Sequence, residues 1–159
     1  MTIKLYDLDA YQTTFEATVL SCTKREKDYD VILDQTLFFP EEGGQTCDQG
    51  TLNDVKVHDV QIIDQEIHHY VSNPLKGKII GKIDFKHRYT NMQNHSGEHV
   101  LSGLVKEMFG FGNSGFHLSL NEITTDYSGF LNTKQLEKLE KRANEVILEN
   151  LPIHCFYPE

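Results

Sequence analysis

Lys78-Ile79-Ile80-Gly81-Lys82-Ile83-Asp84-Phe85-Lys86-His87-Arg88 runs through Tyr89–Asn94 into His95-Ser96-Gly97-Glu98-His99-Val100-Leu101-Ser102-Gly103-Leu104-Val105, and the period of the chain changes on the way. Before the change, apolar residues alternate or form short β-branched runs: Phe15–Leu20, Asp30–Leu33, Val55–Val60, Ile67–Val71 and Lys78–Ile83. Polar or turn-forming segments (Lys24–Asp28, Ser72-Asn73-Pro74, Gly77) separate them, as short strands require. A small barrel or sandwich is expected up to residue 86. After Arg88, Leu101, Leu104, Val105 and Met108 follow helical spacing, and Gly110 and Gly112 close the helix. Phe116–Leu120 and Glu122–Tyr127 are expected to form two strands turning at Asn121. A second helix is expected from Thr133 to Asn150, with Leu136, Leu139, Ala143, Val146 and Ile147 on one face. Pro152 marks its end, and Ile153–Tyr157 reads as the start of another strand.

The expected fold class is α+β. Residues 1–86 form a β-barrel-like subdomain and residues 87–159 an α+β subdomain with an antiparallel sheet and two main helices. A domain rarely stops on the first residues of a strand, so the second subdomain reads as incomplete at its C-terminus.

A chain of 159 residues buries roughly 70% of its unfolded surface and needs neither disulfide nor metal to fold. Cys22, Cys47 and Cys155 are an odd number without regular spacing, which argues against a disulfide framework. Met1–Asp7 carries no charged-then-apolar leader, and no apolar run approaches membrane-spanning length. The plain expectation is a cytoplasmic protein with no membrane partner. A net charge of −9 speaks against indiscriminate nucleic-acid binding. Yet Lys76, Lys78, Lys82, Lys86 and Arg88 meet only Asp84 within one run. That run is either a solvated strand edge defended by lysines or a phosphate-contacting strip on an acidic body. Composition does not choose, and it is silent on oligomeric state.

His95 and His99, four apart on a helix, turn to one side, where both can hold one divalent metal. The stripe Leu101/Leu104/Val105/Met108 points elsewhere, so the histidines leave the core-packing face. Ser102 and Gly103 share their side, and a mid-helix glycine costs roughly 1 kcal/mol against alanine. Small residues beside two imidazoles describe a cleft wall better than a packing ridge. His95-x-x-Glu98-His99 also matches the pattern of inverted zinc metalloproteases, in which the glutamate is the general base; such enzymes need a third ligand and a larger fold.

A second informative segment is Phe38-Phe39-Pro40-Glu41-Glu42-Gly43-Gly44-Gln45-Thr46-Cys47-Asp48-Gln49-Gly50. Paired glycines permit left-handed backbone and let a ligand approach the main chain; the plainer alternative is a glycine-stabilised hairpin loop.

Taken in order, this loop and Arg88-x-x-Asn91-Met92-x-Asn94-His95-x-x-x-His99-x-Leu101 resemble the editing module of alanyl-tRNA synthetase and its freestanding relatives, the trans-editing alanyl-tRNA deacylases. The opening Leu5-Tyr6-x-x-Asp9-x-Tyr11, Phe15-Glu16-Ala17-x-Val19-Leu20 and Glu145-x-x-Ile147-x-x-Asn150-Leu151-Pro152-Ile153 are similar to the freestanding proteins. The resemblance implies a β-barrel and an α+β subdomain with a cleft between them. It also implies hydrolysis, in trans, of tRNA(Ala) wrongly carrying serine or glycine. His95 and His99 match the first two of four expected zinc ligands, and the chain reaches Glu159 without the Cys-x-x-x-His that would supply the others. Zinc occupancy is accordingly expected to be weak.

On this resemblance His95 and His99 are both catalytic and metal-binding, and Gly43, Gly44, Gln45 and Thr46 bind substrate. Lys86 and Arg88 hold the tRNA acceptor end. Rejecting alanine while accepting serine means hydrogen-bonding the extra hydroxyl, and Thr46, Gln45 and the glycine backbone are all placed to do so. Glu98 stays unassigned. The rivals are a non-catalytic tRNA-binding remnant and the inverted-motif protease.

Overall fold

β-branched and alternating stretches form the strands where the periodicity places them. The computed structural model describes residues 2–118 and 122–154. Its strands are β1 (Ile3–Lys4), β2 (Thr14–Lys24), β3 (Tyr29–Leu33), β4 (Gln35–Thr36), β5 (Gly50–Leu52), β6 (Val55–Ile63), β7 (Glu66–Val71), β8 (Lys78–Ile83), β9 (Asn113–Leu118) and β10 (Ile123–Tyr127). Helix α1 spans Phe85–Phe109 and α2 spans Thr133–Glu149. The class is α+β, with a six-stranded antiparallel sheet and two helices.

The six strands pair in the order β2-β3-β7-β6-β5-β8, and β8 pairs back onto β2, so the ladder closes on itself. Closure leaves this sheet no free edge. Two tight turns set the register: Asn53-Asp54 joins β5 to β6 and Asp64-Gln65 joins β6 to β7, all four residues with positive φ, as two-residue hairpins prefer. Val31, Leu33, Leu52, Val57, Val60, Ile67 and Val71 are fully buried inside, each contributing about 1.5–3 kcal/mol relative to exposure. β1 and β4 form a separate parallel pair, and β9 pairs with β10.

Two polar side chains, His69 and Thr36, are fully buried beside this core. His69 Nδ1 lies 3.0 Å from the Val31 carbonyl, which can only accept, so Nδ1 carries the proton. Nε2 then accepts from Thr36 Oγ1 at 2.8 Å, and Thr36 Oγ1 accepts from the Phe38 amide at 3.1 Å. The chain of bonds ties β7 to the start of the glycine-rich loop. Burial holds the imidazole down at about 4, so it stays neutral at ordinary pH.

The contacts divide the chain into two units, Met1–Asn94 with His117–Ile123, and His95–Phe116 with Thr124–Glu159. The division falls inside α1, downstream of the change of period. Asp84 caps α1, its carboxylate accepting from the His87 amide at 3.2 Å, and Gly110 in left-handed conformation ends it. In the second unit Leu104 and Val105 pack with Leu139 and Ala143, flanked by Val100, Phe109 and Val146. Asn132 and Gln135 form a capping box on α2, and Asn150 closes it in left-handed conformation.

Two helix-face expectations need correction. Leu101 and Met108 on α1, and Leu136 and Ile147 on α2, are exposed rather than in the core; the unit's apolar contacts close over narrower stripes than the periodicity suggested. The turn expected at Asn121, and the strand expected from Ile153 except for the irregular Ile153-His154, lie outside the described residues.

Candidate functional site

Gly43 and Gly44 both have positive φ, and Glu42 and Gln45 exchange backbone hydrogen bonds of 3.2 and 3.0 Å across them. This is a two-residue turn of the kind glycine pairs favour, so the plainer hairpin reading of the loop describes its backbone. The Gly44 carbonyl accepts from the Leu118 amide at 2.8 Å. Gln45 is buried. Thr46 follows it on the rim of a depression.

What holds the loop is Asp48, which is buried. Its carboxylate accepts from the Phe39 amide at 2.6 Å and from Arg88, whose Nε lies 2.8 Å from Oδ1. The same guanidinium reaches the Ala10 carbonyl at 2.9 Å and the Leu37 carbonyl. Arg88 is 3% exposed. Its assignment to the tRNA acceptor end is therefore corrected: the group is consumed inside the protein, and the exposed basic run stops at Lys86. The sequence carried no sign of this, because Asp48 is forty positions away.

The first turns of α1 hold the rest of the loop. His87 Nε2 donates to the Cys47 carbonyl at 3.0 Å, fixing its tautomer. Asn91 Nδ2 lies 3.3 Å from Thr46 Oγ1. Arg88 and Asn91, three apart, thus clamp one loop from one helix face. A depression of about 340 Å³ opens beside them, lined by Thr46, Gln49, Lys86, Thr90, Asn91 and Asn94 among others. Accepting from Asn91 leaves the Thr46 hydroxyl its own proton to donate. Burial raises the Cys47 thiol to about 11, so it offers no thiolate here.

In the second unit the His95 and His99 rings lie parallel, 5.0 Å apart and inclined by 16°, so both imidazoles do share one side of α1. His95 also meets Phe116 at 5.4 Å, while the His99 side chain is 74% exposed. Burial first, and His99 second, hold His95 below the usual imidazole range, with Glu98 opposing. The neutral form so favoured is the one that ligates metal. Among the described residues no third His, Cys, Asp or Glu joins the pair, so these two nitrogens fit half of a tetrahedral zinc site and not a whole one.

Glu98 is 6% exposed. Its Oε1 accepts from Ser102 Oγ and, at 2.6 Å, from Asn113 Nδ2. Its other oxygen, Oε2, lies 3.7 Å from His99 Nδ1, so Glu98 borders the histidine pair; among the described residues no third ligand of the kind an inverted-motif protease needs joins them.

A strand-rich body carrying a helix-clamped glycine loop matches the family model described as tRNA synthetases class II (A), over residues 8–86. The chain is 28% identical to "Alanyl-tRNA editing protein AlaX-L" of Pyrococcus horikoshii, covering 96% of this chain and 40% of that protein. It is 30% identical to "Alanyl-tRNA editing protein Aarsd1" of Bos taurus, over 92% and 36%. With "Alanine--tRNA ligase" of Haloquadratum walsbyi the identity is 32%, over 99% and 18%. Along nearly its whole length the chain is thus similar to alanyl-tRNA editing proteins and to part of an alanine–tRNA ligase. It spans 40% or less of the length of these three relatives.

Proposed function

We propose that the chain hydrolyses, in trans, the ester of tRNA(Ala) wrongly charged with serine, and also with glycine. The observation that carries this reading is similarity along nearly the whole chain to proteins named for alanyl-tRNA editing. An aminoacyl ester is labile already, so the protein's task is to position water and choose the substrate. The Thr46 hydroxyl, held by Asn91 on the pocket rim, supports a role in hydrogen-bonding the serine hydroxyl. Gly43, Gly44 and the buried Gln45 complete the substrate-binding loop beside it. His95 and His99 supply two zinc ligands, and Lys86 contacts the acceptor end. The site of action is the cytoplasm, where charged tRNA is used.

The test is deacylation of Ser-tRNA(Ala), Gly-tRNA(Ala) and Ala-tRNA(Ala) by the chain and by Thr46→Val. Release of serine well above that of alanine, with the preference reduced about ten-fold or more in the variant, is expected for a lost hydroxyl contact. Absence of deacylation with tRNA binding retained would establish the rival reading, a binding module without turnover.

A further inference from the structure

The first turn of α1 bears a cluster that the loop and the histidines do not use. The Phe85 and Tyr89 rings stack at 5.6 Å, inclined by 29°, and Tyr11 lies 6.2 Å from Phe85. Tyr11 is 62% exposed and Tyr89 42%. Local structure puts them there. Asp9 Oδ1 accepts from the Tyr11 amide at 2.8 Å, and the Ile83 amide donates to the Thr13 carbonyl at 2.8 Å, laying the Tyr11 segment along the end of β8. Phe85 and Tyr89, four apart, share one ridge of α1.

Lysines border this cluster. Lys82 and Lys86 are exposed on either side of Phe85 in sequence. Lys56 joins Lys82 through the sheet, because Thr51 pairs with Lys56 on β6 and with Lys82 on β8. Asp84, the acid between them, is occupied in capping α1. Asp54 reaches Lys82 only at 4.0 Å, with both side chains exposed, and such a pair is readily exchanged for another anion. A depression lined by Thr51, Lys56 and Lys82 shares Gln49 and Asp84 with the Thr46 depression. Around the helix, Lys86 lies between the Phe85/Tyr89 ridge and the Thr46 side.

Aromatic faces beside spaced cations are the combination that binds unpaired nucleotides: lysines neutralise phosphates, and rings stack on bases that a duplex would keep covered. We infer that Tyr11, Phe85 and Tyr89, bordered by Lys56, Lys82 and Lys86, form a stacking platform for single-stranded RNA leading to the Thr46 pocket. The inference deepens the editing reading and rests on it for the identity of the RNA, the unpaired 3′ end of a tRNA acceptor stem.

The experiment uses the full chain and a fluorescent RNA hairpin with a short single-stranded 3′ overhang, against the same hairpin made blunt. The wild type is expected to prefer the overhang. Tyr11→Ala with Tyr89→Ala should weaken overhang binding about ten-fold or more and leave blunt binding unchanged, as lost stacking predicts. Tyr89→Phe should retain the preference. Tyr89→Leu, which keeps an apolar contact with Phe85 and so guards against misfolding, should lose part of it. Lys86→Ala should weaken both RNAs alike and lower the salt dependence. Wild-type-like overhang binding by the folded tyrosine variants, or equal loss for both hairpins, overturns the platform. Ser-tRNA(Ala) deacylation measured alongside separates the two ideas. An overhang preference without deacylation removes the editing reading alone, whereas deacylation without an overhang preference removes the platform alone.

Discussion

Replacing Arg88 with methionine should unfold the loop clamp, not the RNA contact. The guanidinium bonds the Asp48 carboxylate and the Ala10 and Leu37 carbonyls, and Asp48 is 1% exposed. Methionine at this position leaves that carboxylate buried against the Phe39 amide with no cation beside it. Removing one partner of a buried pair costs about 3–5 kcal/mol, chiefly through the stranded charge. Against a total stability of about 5–15 kcal/mol this is severe. With a urea slope of about 1–3 kcal/mol per molar, the midpoint should fall by about 1 M or more. Adding Asp48→Leu to Arg88→Met removes the stranded charge as well, and should recover part of the loss. Urea unfolding of the wild type, Arg88→Met and the double variant measures all three terms. Salt titration of RNA binding, under conditions where the variants remain folded, gives the second readout. Lys86→Ala should lower the salt slope by about one ion, and Arg88→Met should not. An Arg88→Met protein as stable as the wild type but with a reduced salt slope would refute the clamp and restore Arg88 as a phosphate ligand.

His69 gives a pH-dependent term of definite sign. Its folded value of about 4 lies below the ordinary 6.5, so the unfolded chain takes up the proton first. Stability should fall as pH drops through 6.5 towards 4, by on the order of 3 kcal/mol in all; His69→Leu should flatten that limb, and an unchanged limb would exclude the histidine as its source. Gly44→Ala should destabilise by roughly 1–2 kcal/mol because alanine resists positive φ, with Gly44→Asn losing less; equal stability in thermal melts would deny the strained turn. Equilibrium dialysis should find zinc held weakly by this chain and lost in His99→Ala. Tight binding through a full set of this chain's own side chains would contradict the half-site.

Legibility in the sequence followed the length and regularity of the pattern. Val55–Val60 and Lys78–Ile83 alternate long enough to be read, and they lie within β6 and as β8. Gly50–Leu52 could not be read: three residues headed by glycine carry no period. Its strand exists because β6 and β8 flank it on both sides, and a side chain at Gly50 would run into the Lys82 carbonyl. The histidine pair was legible because four-residue spacing fixes direction on any helix. Leu136 and Ile147 were misread because periodicity ranks a face without saying how much of it finds a partner. Tyr11 was missed as a surface feature, since its approach to Phe85 depends on the Thr13–Ile83 bond.

Arg88 shows why a motif's chemistry and its work can differ. In a run of lysines a fifth cation reads as one more phosphate contact, yet lysine and arginine are not equivalent here. A planar fork can satisfy a carboxylate and two carbonyls together, which an ammonium cannot do with the same geometry. The helix therefore divides its labour by direction. Arg88 and Asn91 point into the loop and fix it, while Lys86, Tyr89 and Thr90 stay on the surface. A glycine turn left loose would have to be ordered when substrate arrives, at roughly 1–2 kcal/mol per residue of backbone entropy. With the Asp48–Arg88 bonds on one side and the Gly44–Leu118 bond on the other, that ordering is complete in the folded chain. On the editing role proposed above, Thr46 meets its ligand from a fixed position, and the buried arginine governs substrate choice without touching substrate.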